Sequence, residues 1–599
     1  MRSTARRLAS LVPLLVAASG CGSDLSGASG RPFEVASPNS MSTTPADMPS
    51  TASTAGSSED STGAEAGLES SPSISRVLNI QDPVAAPDGV SVTSRIRRLT
   101  QDEYVRTVSA LLGIDARGAT AEFPAELSTL DGYFALGALG VGERLQAELR
   151  VSAEGLAARA VADPTSYAGV VGCDATAPGC RDQFLRTFGR SAYRRPLTDT
   201  ELQRLQNLFD TGASSGSGDP FREGVQVVIE AMLQSPNFWY RIDRGSGVLD
   251  EAGERVSGYD AATRLSYLIW GRGPDRRLLD AAESGALSSE EGIVAEARRL
   301  VLDPAARDRV TDFHARWLAL DALPGATKDL NVFPEYSPEL IASMRGEVER
   351  FVEDATLNGD GALITLLTAP YGFADARLAA VYDLPGSFGD EAVRVDFESD
   401  SPRGGLLTQA GFLAGHSSSN DRTSPILRGV FVLRRLLCQP IPDPPPNAQA
   451  TEPPPAAEPL VTTRDYYTWK TSMAACQGCH SMINPVGFAF EDFDGIGRHR
   501  EAEAGEPIDA SGELRISGRE FPLQGGKDVA RALATSPEAQ ACYARNWLRY
   551  AWGRADTEAD LRTLTRLRQG LADPSYGVRD VLLEIAQSTA FSHLSKVAE

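Results

Sequence analysis

The sequence predicts a mainly α protein made of helical modules in series, with a small cysteine-bearing module near its C-terminus. Three observations predict it. Apolar residues recur at helical spacing through most of the chain from Thr93 onward. Proline clusters at 440–446 and 453–455 interrupt that pattern. One Cys-x-x-Cys-His run stands at 476–480. At roughly 100–200 residues per domain, 599 residues leave room for about three to five folding units. Hydrophobic residues at 42% and charged residues at 23% are ordinary values, so sizeable cores can form.

Residues 1–21 read as an export leader. Arg2, Arg6 and Arg7 give a basic start, and Leu8 to Ala18 is apolar but too short to span a bilayer. The run Ala18-Ser19-Gly20-Cys21 resembles a bacterial lipobox, in which the Cys is acylated and becomes the new N-terminus. Cys21 is therefore the expected lipidation site; an ordinary secretory signal cut nearby is the other reading, and both export the chain. Gly22 after the Cys favours the outer membrane, by resemblance to lipoprotein sorting. Residues 22–92, rich in Ser, Thr, Gly, Pro and Ala, have too little apolar surface to offset the entropy of ordering and read as a disordered tether. No later stretch reaches about 18 consecutive apolar residues, so no transmembrane helix is expected in the mature chain and a membrane is met only through the lipid.

The helical part follows in order. In a first module, 93–165, Arg97 to Leu112 reads as a helix with Thr100 as a plausible N-cap. A second, 170–245, carries a helix start at Thr198 and an amphipathic run from Phe221 to Phe238. A large central module, 256–450, holds helical runs at 259–270, 291–302, 305–320, 338–355 and 404–414. Its last helix opens at Thr423-Ser424-Pro425, with Ser424 as cap and Pro425 in the first turn, and runs to Cys438. The prolines beyond it read as a stiff connector and a module boundary. Val393 and Ile516 mark short strand candidates.

Next comes a module at 451–515, then a C-terminal helical module at 520–595. Cys476-Gln477-Gly478-Cys479-His480 lies in the former. Each thiol in such a run can add to one haem vinyl group, and the adjacent His can ligate the iron. The expectation is a cytochrome c-like module holding one covalent haem c through Cys476 and Cys479, with His480 as proximal ligand. A structural zinc site, with His499 as a further ligand, and a Cys476–Cys479 disulfide are the competing readings. The Pro485 carbonyl is a candidate acceptor for the His480 ring N–H. Phe488, Phe490 and Phe493 could wall the haem or simply pack the core. Met473 and Met482 stand too close to His480 to reach the other iron face, so His416 is the candidate distal ligand, ahead of His499; a vacant face is the alternative.

Of seven cysteines, four remain once Cys21, Cys476 and Cys479 are assigned. Export favours pairing. Cys173 and Cys180 flank a short loop, which suggests a local bridge and leaves Cys438 with Cys542; the other two connectivities stay open.

From Arg97 to Phe591 the chain resembles the planctomycete-cytochrome family of exported proteins, in which five modules of unknown function follow one another. The resemblance is carried by Arg97-Arg98-Leu99-Thr100-Gln101-Asp102-Glu103-Tyr104, by Ala192-Tyr193-Arg194-Arg195-Pro196-Leu197-Thr198, and by Gly404 to Gln409 with Thr423 to Gly429. It is carried also by Cys476 to Arg500, with Gly487-Phe488 and Glu491-Asp492-Phe493-Asp494, and by Tyr550 to Arg554. It implies a helical multi-module haem protein outside the cytoplasm and supplies no substrate. Asn484 stands where the family pattern often has Asp, and Lys470 stands near a position where it often has His; His416 matches a His before the Thr-Ser-Pro run.

A formal net charge of -22 speaks against nucleic acid, since phosphate backbones repel it. It serves solubility and could also attract a basic protein. Three functions remain: electron transfer with an exported redox partner, a peroxidase- or oxidase-type enzyme with an open haem face, or a binding scaffold with ancillary haem. His314, Arg316, Asp312 and Glu347 are acid/base candidates whose helical spacing reads better as solvated faces. No His-Glu-x-x-His, P-loop or dinucleotide fingerprint is present.

Overall fold

Apolar stripes at helical spacing bury themselves by packing helix on helix, and that is the architecture found. The computed structural model describes residues 95–126, 132–134, 136–216, 218–417, 423–444, 453, 455–456 and 459–594. The leader, Cys21, the tether and part of the proline connector lie outside these residues.

Strand β1 (Ile96–Arg98) leads into α1 (Gln101–Leu112), followed by α2 (Glu143–Ala162), α3 (Pro164–Val171), α4 (Cys180–Tyr193), α5 (Asp199–Ser215) and α6 (Pro220–Leu233). The helix expected from Arg97 therefore starts later. Thr100 caps it in a reciprocal capping box with Glu103, while β1 pairs antiparallel with β2 (Tyr240–Ile242). A partner some 140 residues away decides that strand, which local periodicity cannot register. Tyr104 stacks on Trp239 at 4.4 Å, and one apolar core serves both N-terminal modules.

The central part contains β3 (Leu249–Asp250), β4 (Gly253–Arg255), α7 (Gly258–Ile269), α8 (Arg276–Glu283), α9 (Glu290–Val301), α10 (Ala306–Trp317) and α11 (Pro338–Glu353). Then come α12 (Leu363–Thr368), β5 (Tyr371–Ala374), α13 (Ala376–Val381) and β6 (Val393–Asp396), with β5 and β6 paired antiparallel. The run expected as one helix over 404–414 is a short turn at Leu406–Thr408 and then α14 (Ala410–Gly415). Gly405 sits at φ +69° with the Leu367 carbonyl where a Cβ would stand, so the chain enters through a kink only glycine adopts cheaply.

Helix α15 (Pro425–Phe431) has Ser424 as N-cap and widens into a π turn at 432–436. Beyond the proline connector lie α16 (Thr463–Lys470), α17 (Ala474–Phe488), β7 (Ala502–Glu503) and β8 (Glu506–Pro507). The hairpin β9 (Gly512–Ile516) and β10 (Arg519–Leu523) precedes α18 (Gly526–Ala534), α19 (Pro537–Trp552), α20 (Leu561–Leu571), α21 (Val578–Ala586) and β11 (His593–Leu594). The connector does not separate two bodies. Helices α15 and α17, on either side of it, run antiparallel in direct contact. Gly429 gives room to the Ile483 carbonyl, and Gly487 gives room to the Pro425 carbonyl.

Arginines join the modules at buried points. Arg97 donates to Asp243 (2.8 Å), which also accepts from Arg264 (2.7 Å). Arg264 reaches on to the Ala590 carbonyl near the C-terminus (3.1 Å). Arg194, at φ +60°, donates to the carbonyls of Asn237 and Tyr240. Several residues that carry the family pattern are thus structural joints. Among the described residues no helix is long and apolar enough to cross a membrane.

Candidate functional site

Successive residues of a helix turn by about 100°, so positions i, i+3, i+4 and i+7 share a face. In α17 this places Cys476, Cys479, His480 and Ile483 on one side. Both cysteines are free thiols, half-buried, and His480 is half-buried too. They do not form the disulfide of the competing reading. Among the described residues no three His, Cys, Asp or Glu side chains converge as a metal site, and His499 is exposed, beside Phe493.

His480 is oriented from behind. Its Nδ1 lies 2.9 Å from Asn484 Oδ1, one turn further along α17. Asn484 Nδ2 donates to Thr471 Oγ1 (2.8 Å), and that hydroxyl donates to the Tyr467 carbonyl (2.7 Å). The chain of donors assigns every proton. Thr471 Oγ1 can only accept from Asn484, so the amide oxygen faces the imidazole and Nδ1 must carry the hydrogen. In the neutral ring Nε2 then carries the lone pair, and it has no partner among the described residues. This is the tautomer in which a histidine ligates a metal. The partner of Nδ1 differs from the one expected: Pro485 lies inside α17, and its carbonyl abuts Gly512 of β9. Asn484 was legible as a same-face i+4 neighbour of His480, whereas Thr471 precedes α17 and reaches Asn484 only through the fold.

The chain after α17 is held by Arg428, which is fully buried. It donates to the carbonyls of Phe490 (2.7 Å), Phe493 (3.2 Å), Asp494 (3.0 Å) and Leu413 (3.3 Å), and stands 3.8 Å from Glu491. Glu491 accepts from Thr423 Oγ1 at 2.5 Å. Phe490 and Phe493 are fully buried; Phe490 packs near Phe412, and Arg403 lies over Phe493. These rings act as core. Phe488 is buried with Arg464 over its face.

His416 ends α14. Its Nδ1 donates to the Phe412 carbonyl (2.9 Å), and burial holds its pKa down to about 4, so it is neutral. Its ring packs 4.2 Å from Phe431. Phe431 lies roughly 120–160° around α15 from Pro425 and Gly429, which face α17. Among the described residues no hydrogen bond or ring contact joins His416 to His480. His416 instead borders a cavity of about 1190 Å³ lined also by Phe134, Val430, Phe431, Arg434 and Cys438. Met482 is exposed, and Met473 stands at the residue before α17 without a side-chain cap.

Two disulfides are present: Cys173–Cys180 spans the turn between α3 and α4, and Cys438–Cys542 ties the end of the α15 segment to α19. The four acid/base candidates are not on solvated faces. His314 is fully buried between the Val310 carbonyl and Tyr543. Arg316 pairs with Asp312, Asp102 and Asp321. Burial works against the charge of Asp312, but Arg316, Arg106 and Arg309 outweigh it and hold the carboxyl down to about 2. Glu347 is sealed beneath Tyr382, which donates to it (2.6 Å), and burial pushes its pKa up to about 8. Helical spacing puts such residues on a common face without saying whether that face meets water or another helix.

Five family models match the chain in sequence, each described as a protein of unknown function. They are DUF1587 over residues 97–162, DUF1595 over 180–243, DUF1592 over 256–384, DUF1588 over 403–503 and DUF1585 over 518–591. The fourth match runs from before α15 to beyond α17, across the proline connector. No curated protein and no solved structure matches the chain.

Proposed function

We propose, from the premise that this chain belongs to the planctomycete-cytochrome family whose five domains it carries in order, that it is an exported c-type haem protein passing single electrons to and from a redox partner. One observation carries the reading: the Asn484–Thr471 relay leaves His480 Nε2 free as a ligand nitrogen, on the same face as two unpaired thiols. Haem c supplies one-electron exchange between ferric and ferrous iron. Cys476 and Cys479 would hold it to α17 through their two sulfurs. His480 would ligate it, with Asn484 holding the imidazole plane through Nδ1. The buried loop stapled by Arg428 fixes the base of α17 and would limit movement of the residues that hold the group.

Export through a leader and lipidation at Cys21 belong to the same reading. Two disulfides suit an oxidising compartment. The excess of acidic residues suits a basic redox partner met through electrostatic steering.

The test is an absorption spectrum of protein matured in a cytochrome-competent bacterium, oxidised and reduced, with and without cyanide. A six-coordinate low-spin spectrum indifferent to cyanide supports the shuttle. A high-spin spectrum that shifts with cyanide would replace it with a haem enzyme, and no Soret band would leave only a scaffold.

Asn484 gives a sharper check. Asn484→Leu removes the acceptor for Nδ1–H and weakens the grip of His480 on iron by roughly 10–100-fold, read as easier displacement by added imidazole. Asn484→Asp supplies a charged acceptor, makes the imidazole more basic and lowers the midpoint potential. Parent-like behaviour of both variants would remove Asn484 from the site. His416→Ala tests the second ligand: a switch to high spin assigns that place to His416, and a ligation spectrum as in the parent removes His416 from the site.

A further inference from the structure

The heart of the molecule between α10 and α19 is an aromatic cluster. Phe313 stacks on Trp547 at 3.7 Å, Trp317 meets Tyr543 edge-on at 5.0 Å, and Tyr550 stands 6.0 Å from Trp547. Tyr133 lies 5.8 Å from Tyr550 and 6.2 Å from Phe313. The neighbours of Tyr133 in the chain, Gly132 and Phe134, line the cavity of about 1190 Å³. A file of closely spaced rings thus runs from a cavity wall to a fully enclosed centre.

At that centre is a phenol–imidazole pair. Tyr543 and His314 are 1% and 0% exposed. His314 Nδ1 lies 2.8 Å from the Val310 carbonyl, which can only accept, so Nδ1 carries the ring hydrogen. Nε2 must then be the acceptor of the Tyr543 O–H at 2.9 Å. Burial keeps the imidazole unprotonated, at about 4, so the acceptor position is open. A buried phenol loses an electron easily only if its proton has somewhere to go, because neither a phenol cation nor a bare phenolate is tolerated away from water. This phenol has a base already aligned on its proton. The other cluster phenol with a side-chain base, Tyr550, donates to Asp312 (2.5 Å), a carboxylate already neutralised by Arg316, Arg106 and Arg309 and so a weaker base.

We propose that Tyr543 is a redox-active tyrosine that gives one electron to an external radical-type one-electron oxidant arriving through the cavity-side rings, while its phenolic proton moves to His314 Nε2. The products are a neutral tyrosyl radical, a His314 imidazolium and the oxidant reduced by one electron. Return of one electron from a reductant brings the proton back to the phenol. This makes the aromatic file a sink that draws oxidising equivalents away from the rest of the chain, and it does not depend on the haem reading.

The experiment oxidises the full-length protein by flash-quench with a ruthenium(III) polypyridyl complex and follows radicals by transient absorption and freeze-trapped electron paramagnetic resonance. The parent yields a neutral tyrosyl signal. Tyr543→Phe removes it, and Tyr550→Phe keeps it. His314→Gln retains a hydrogen-bond acceptor without a usable base, so formation of the radical slows by roughly a hundredfold while the fold is kept. Where Tyr543→Phe does not fold, the parent and His314→Gln decide. A parent signal from indole alone, a tyrosyl signal that survives Tyr543→Phe or is lost only in Tyr550→Phe, or an unchanged rate in His314→Gln would each overturn the proposal.

Discussion

Changing Cys476 and Cys479 together to Ser removes all haem that survives a denaturing gel, while the chain still folds. Both thiols are half-buried at the start of α17 and pair with nothing. Ser is nearly isosteric and as good a residue near a helix N-terminus, and only Cys479 packs against the core, so the cost to the fold is about 1 kcal/mol. Covalent attachment, in contrast, has no substitute for the two sulfurs. The measurement is peroxidase staining of gel-separated protein after co-expression with cytochrome maturation enzymes, with circular dichroism as the control for folding. Single variants are informative too: either cysteine alone leaves one thioether and a weaker but visible stain. Pigment that persists on the gel in the double variant would end the haem c reading. Pigment absent from the parent would do the same, and would leave the Tyr543 proposal standing.

Arg428→Ala costs the body formed by α15 and α17 about 3–5 kcal/mol, the scale for removing one partner of a buried ionic network. The side chain has no exposure and serves four carbonyls at once, so truncation strands them and leaves Glu491 beside an empty volume. Arg428→Lys recovers little, because a single ammonium cannot span four acceptors that a planar fork reaches. The effect is read as a lowered urea midpoint together with faster hydrogen exchange at the amides of 490–494. A shift below about 1 kcal/mol would show that the loop is held by its apolar contacts alone.

Much of the architecture was legible before any coordinates. Helix starts at Thr100, Thr198 and Ser424 stand where capping chemistry puts them, because a cap is satisfied by residues two or three positions away. The exceptions share one cause. Strand β1 exists because Tyr240–Ile242 lies beside it. The break at Gly405 exists because the Leu367 carbonyl needs the space. The proline connector reads as a boundary, yet α15 and α17 close over it through two glycines. Each is a contact between segments far apart in the chain, invisible to any local window.

The candidate site divides the same way. The sequence alone determined the cysteines, the histidine and their common helical face, since a five-residue motif needs only a helix to set its geometry. It also determined the mainly helical, five-module organisation, because amphipathic periodicity and the module patterns are written residue by residue. Only the tertiary structure decided which atom of His480 faces Asn484, that Pro485 faces β9 rather than the imidazole, that His416 packs on Phe431 of α15, and that His314 and Glu347 are sealed in the core. The physical reason is that a hydrogen bond or a burial is a property of two surfaces brought together. A linear sequence specifies each surface but not, within reach of inspection, which one it will meet.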